Sequence, residues 1–106
     1  MAVDEIAVLG VGMHQWGKFP GKSFVDIGVH AAKQALKDSG IEWEEIEFIS
    51  GANTVRNGYP GWVSASTFAN ALGFQGCQLA SSYAACASGV TALSIARAQI
   101  LSGVCD

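Results

Sequence analysis

A chain of 106 residues, half of them hydrophobic, is long enough to bury one compact core. Its formal net charge of −3 and six scattered Lys and Arg give no basic patch for nucleic acid. No apolar run reaches about 18 residues, so no membrane span is expected, and the acidic start MAVDEIAVLGVG lacks a basic signal-peptide leader.

Glu5 to Val11 is apolar and bounded by glycines, which predicts a buried first strand. The following GVG does not continue as a dinucleotide fingerprint, because Gln15 stands where a glycine is needed, and the Walker lysine pattern is absent. Ser23 then predicts a helix start, with Asp26 three residues on as in a capping box. Phe24, Ile27, Ala31, Ala35 and Leu36 mark one apolar face, and Gly40 predicts the stop.

Glu42-Trp43-Glu44-Glu45 reads as a solvated link, and Ile46–Ile49 as a second strand. Two glycine-bearing polar stretches follow, GANTVRNG and YPG, in which Asn53, Arg56 and Asn57 form a polar patch. Arg56 there is either solvated or available to an anionic group such as a phosphate. Trp62, Ala65, Ala69 and Leu72 predict a short helix ending at Gly73. Gln78–Ser81 is the third strand, and Cys86 to Ser102 the last helix, apolar nearly all round and so expected to be buried between layers.

Strand and helix alternating three times predict an α/β fold with parallel strands, whose ligands sit beyond the strands' carboxyl ends. Cys86 falls at that edge, where a strand gives way to a helix. Helix N-terminal amides lack internal partners and carry a positive potential, which favours a thiolate. Ala84, Ala85, Ala87 and Gly89 are small, so a substrate could come close. A reachable thiolate suits covalent acyl transfer, with backbone amides steadying the oxyanion. The plainer reading is a buried, inert cysteine. Cys77 and Cys105 read as packing residues. The three cysteines match no zinc or Cys-x-x-Cys spacing, and neither His14 nor His30 is spaced against a cysteine as a ligand pair, so no metal is expected. A reducing, cytoplasmic setting suits this cysteine usage.

Ala84-Ala85-Cys86-Ala87-Ser88-Gly89, followed by Thr91-Ala92-Leu93, resembles the nucleophile region of the thiolase superfamily. IAVLGVGMHQWGKF, LKDSGI and the NG-YPG loop resemble its sterol-carrier-protein-x, or lipid-transfer, branch. The resemblance covers essentially the whole chain. It implies that residues 1–106 form the N-terminal βαβαβα portion of a five-layer α/β/α/β/α protein, usually dimeric and considerably longer than this chain. It implies that Cys86 accepts the acyl group of a β-ketoacyl-CoA. Coenzyme A would then be a substrate rather than a bound cofactor, and a histidine and second cysteine would come from beyond Asp106.

His14 and His30 do not match those positions; His30 reads as packing or surface, and His14 as a residue that could border a site. Tyr83-Ala84-Ala85 departs from the more polar run of degradative thiolases, and Tyr83 either lines the pocket or fills the core or an interface. Trp16, Phe19, Trp62 and Phe68 could cover a dimer face, an acyl tunnel or the core. Two alternatives stay open: a non-catalytic partner that binds CoA esters or lipids, and a retro-aldolase acting on steroid side-chain CoA esters. The last helix needs a cover, so this piece alone is expected to be poorly soluble or inactive.

Overall fold

The computed structural model describes residues 6–54 and 63–106. Its elements are helix α1 (Phe24–Ser39), a 3-10 turn (Trp43–Glu45), strand β1 (Phe48–Ala52), helix α2 (Ser64–Leu72), strand β2 (Gln78–Ser82), a second 3-10 turn (Ala85–Ala87) and helix α3 (Ser88–Leu101). The architecture is α/β, as the alternation of elements predicts, with β1 and β2 parallel and in register from Phe48↔Gln78 to Ala52↔Ser82.

α1 begins and ends where its sequence signals place it. The Ser23 side chain accepts from the Asp26 amide, while the Asp26 carboxylate accepts from the Ser23 amide, closing a capping box. Gly40 ends the helix in the left-handed region at φ 73°, its N–H returned to the Leu36 carbonyl.

Successive residues of a strand point to opposite faces, and two adjacent residues of β1 show what covers each. Ser50 Oγ donates to the Ala92 carbonyl of α3 at 2.7 Å. Gly51 faces the other way, where a Cβ would come within 2.6 Å of the Ala65 backbone of α2. The sheet is therefore sandwiched, with α2 on one face and α3 on the other. Ser81, paired with Gly51 across the sheet, also faces α2 and accepts the Ala65 amide at 2.9 Å. α1 lies on α2, where Phe24 meets Phe68 edge to face with centroids 5.7 Å apart. The buried positions among the described residues are small: Gly51, Ser64, Ala65, Ala69, Ser88 and Ala92. Close backbone approach, rather than large interlocking side chains, sets the layer spacing.

Four expectations need correction. Glu5 lies outside the described residues, and Ile6–Val11 forms no strand. Val11 N–H and, just beyond the segment, Met13 N–H donate to α1 side chains instead of a sheet neighbour: to Asp38 at 2.9 Å and to Gln34 at 3.1 Å. Gly10 and Gly12 let this segment press on the α1 backbone near Ala31 and Ala35. The second strand occupies Phe48–Ala52 rather than 46–49, because the β2 ladder fixes the register there. Glu42–Glu45 is not a loose link, since Trp43 is half-buried and its indole donates to the Gly73 carbonyl at 2.6 Å. Gln75 adds bonds to the Trp43 and Ile46 carbonyls.

The fourth correction concerns α3, which is covered on one side only. Ser88 and Ala92 face the sheet, whereas Val90 and Leu93 are 70 % and 66 % exposed. Among the described residues no helix is long and apolar enough to cross a membrane.

Candidate active site

β1 and β2 run parallel and end in register, so the segments leaving them emerge at one edge of the sheet. Asn53 and Thr54 leave β1, and Tyr83 to Ala87 leave β2. This is the edge at which an open parallel sheet usually presents its ligands. Arg56, Asn57 and Trp62 lie outside the described residues.

After Ser82 the chain turns abruptly. Ala85 takes φ 47°, the one positive φ at a non-glycine position among the described residues. A 3-10 turn, closed by Ala87 N–H on the Ala84 carbonyl at 2.9 Å, follows at once, and α3 starts at Ser88. Cys86 sits inside that turn, exposed and not in a disulfide. It therefore precedes the first residue of α3 by two positions rather than opening the helix itself.

The surroundings of Cys86 are small and open. Ala84, Ala85, Ala87 and Gly89 are all exposed, and the space beside Gly89 is empty. No side chain caps α3, and its N-cap residue is Ala87. The first turn thus keeps the outward positive potential of an uncapped helix end. The turn is fastened from two directions: Ser88 Oγ donates to the Ala85 carbonyl at 2.7 Å and accepts the Ala84 amide at 2.9 Å, and Thr54 Oγ1 donates to that same carbonyl at 3.1 Å. Sequence reasoning missed both Thr54 and Ser88. A serine two residues after the cysteine was visible, but its backward bonds depend on the positive φ at Ala85.

The other candidates fall elsewhere or in lesser roles. Tyr83 is exposed beside the turn. His14, in the segment before α1, and His30 of α1 form their own cluster, with ring centroids 5.0 Å apart. His14 Nδ1 lies 2.8 Å from the Gln15 carbonyl, which makes it the donor and leaves Nε2 to accept from the Lys22 ammonium at 3.3 Å. Gln34 donates to His30 at 3.1 Å. None of these contacts reaches the Cys86 turn. Trp16 is largely bare, while Phe19 packs edge-on against His14.

Cys77 and Cys105 are half-buried and free. Partial burial pushes the Cys105 thiol up, and the carboxylates of Glu47 and Asp106 push the same way. An apolar groove of about 480 Å³, lined by Leu9, Ala35, Ile49, Leu93 and Ile100 among others, runs along the later part of α3 and does not include Cys86. Among the described residues no group of His, Cys, Asp and Glu could hold a metal ion.

No protein-family model matches the chain. A β-ketoacyl-[acyl-carrier-protein] synthase III 1 of Vibrio vulnificus (strain CMCP6) is 35 % identical over 85 residues, which is 79 % of this chain and 26 % of that protein. The chain thus spans about a quarter of the length of the relative it matches. With the parallel α/β sandwich, this similarity supports a thiolase-like relationship, without reaching the sterol-carrier-protein-x branch in particular.

Proposed function

We propose that this chain carries the acyl-accepting cysteine of a thiolase-like acyltransferase of the lipid-transfer type. The observation that carries the reading is Cys86 itself, exposed in a tight turn at the uncapped mouth of α3. The similarity to a β-ketoacyl synthase supports acyl-transfer chemistry at the level of class. The resemblance of the Cys86 segment and of the N-terminal stretch supports the lipid-transfer type.

In the proposed step the Cys86 thiolate attacks the thioester carbonyl carbon of an acyl-CoA, or the β-keto carbon of a β-ketoacyl-CoA. The Sγ–C bond forms while the carbonyl becomes an oxyanion, which nearby backbone N–H groups would steady. Collapse expels the leaving group: the CoA thiolate from an acyl-CoA, or the acyl-CoA carbanion, which takes up a proton, from a β-ketoacyl-CoA. The acyl group remains as a thioester on Cys86. Coenzyme A enters as substrate, and the proton-transfer groups come from outside this chain. The working form would be a homodimer, acting in the cytoplasm.

The test is intact mass of the whole protein after incubation with acetoacetyl-CoA, followed by peptide mapping. An acetyl adduct on Cys86, absent in Cys86→Ala, is the expected result. Tight CoA-ester binding with no adduct would overturn the reading in favour of a binding partner. Turnover in Cys86→Ala on a steroid side-chain CoA ester would favour a retro-aldolase.

A further inference from the structure

We propose that Ser88 is a positioning residue for Cys86, with Thr54 as its second fastening. The inference rests on the reading of Cys86 as the acyl acceptor. Its physical basis is the turn at Ala85. An alanine has no reason of its own to adopt φ 47°, so neighbouring contacts must hold it there.

Those contacts converge on one peptide group. The Ala85 carbonyl receives the Ser88 hydroxyl at 2.7 Å, the Thr54 hydroxyl at 3.1 Å and the Ser88 amide. The Ser88 oxygen meanwhile accepts the Ala84 amide at 2.9 Å. The Ala84 carbonyl accepts the Ala87 amide at 2.9 Å, so both peptide groups that flank Ala85 are held, and with them the direction in which Cys86 projects.

Ser88 does not act here as a helix cap. A capping serine precedes its helix and accepts an amide from further along it, as Ser23 does. Ser88 is the first residue inside α3 and reaches back to the residues before it. It is 1 % exposed, so water does not compete for its hydroxyl. Thr54 lies two residues beyond β1, which ties the turn to the segment leaving the neighbouring strand as well as to its own helix. Without these bonds Ala85 would relax to negative φ and carry the thiol away from the mouth of α3. Small displacements of a nucleophile are costly, because acyl transfer requires near-attack geometry.

The experiment follows the rate of Cys86 acylation by acetoacetyl-CoA in the whole protein, with iodoacetamide alkylation of the same residue in parallel. Ser88→Ala is expected to slow acylation at saturating donor at least about tenfold, with half-saturation nearly unchanged. Glycine accepts positive φ unaided, so Ala85→Gly in the Ser88→Ala background is expected to restore part of the rate. A serine that served only to fill space would not respond to residue 85. Unchanged acylation in folded Ser88→Ala, or no recovery from Ala85→Gly, overturns the proposal.

If Ser88→Ala gives no cooperative melt, Thr54→Val decides: slowing of about threefold or more supports the proposal and an unchanged rate overturns it. Alkylation separates the two readings. A wild-type protein that takes no acyl group, yet loses Cys86 alkylation in Ser88→Ala and regains it with Ala85→Gly, would retain positioning and lose the acyl-acceptor reading.

Discussion

α1 and α3 begin in opposite ways. The start of α1 is closed by its own sequence: Ser23 is extended at φ −84° and ψ 164°, and it exchanges hydrogen bonds with Asp26. The start of α3 is open, because the chain enters through a 3-10 turn and its N-cap residue, Ala87, sits at φ −91° and ψ 8° with no side-chain acceptor. Polar groups are present at this second end, but they hold the turn before the helix rather than the helix amides. One end is built for stability, and the other leaves its positive potential to whatever approaches Cys86.

The largest expected effect falls on the open end. Cys86→Ala should abolish the acyl adduct while changing the unfolding free energy by less than about 0.5 kcal/mol, because the side chain is exposed. Intact mass and urea unfolding on the same preparations check the two halves. A large loss of stability would mean that the cysteine packs rather than reacts.

The same contrast explains how much could be read from sequence. Ser23, Asp26 and Gly40 act within one turn of themselves, so α1 was legible to the residue. α2 and β2 were legible for a similar reason, since Gly73 and the short stretch at 78–81 between Gly76 and the small residues before Cys86 are local signals. The segment Ile6–Val11 reads as a strand because its pattern is that of one, yet a strand also needs a partner. Here side chains of α1 take the Val11 amide and the Met13 amide just beyond it. Gly51 gave no sign of its role, which is the approach of Ala65 from α2. At the site, the cysteine and its small neighbours stood out from residue type and order alone. Thr54 did not, because it lies 31 residues from the carbonyl it binds.

At the closed end, Ser23→Ala is expected to cost about 1 kcal/mol in urea unfolding, the usual loss for a serine cap. Acylation of Cys86 should be unchanged, since α1 packs on α2 and its cap makes no contact with the Cys86 turn. A smaller effect follows from Asp26. The Ser23 amide and then the Ser23 hydroxyl hold its carboxyl below the usual value of 3.8, against a smaller opposing effect of desolvation and with a still smaller pull from the Lys22 charge. A carboxyl with a depressed folded pKa adds stability that is fully present above the unfolded value. That stability fades as the pH falls below 3.8 and through the folded value. Asp26→Asn should therefore flatten this part of the acid-side decline, measured as unfolding free energy from pH 6 to 2.5. An unaltered decline would mean that the carboxylate contributes nothing to the box.

The smallest expected change is the most informative about the open end. Ala87→Ser places a capping residue type at the N-cap of α3, where a serine would ordinarily add about 1 kcal/mol. That gain requires the extended backbone that Ser23 has, so that the hydroxyl oxygen faces the amides two and three residues ahead. At ψ 8° the Ala87 side chain is not aimed there. The expected gain is therefore below about 0.5 kcal/mol, with Cys86 acylation within twofold of wild type. A full capping gain accompanied by slower acylation would show that the 3-10 entry can be remodelled and that the amides it leaves free are the ones the reaction uses. A full gain with no change in acylation would instead detach the open helix end from the chemistry of Cys86.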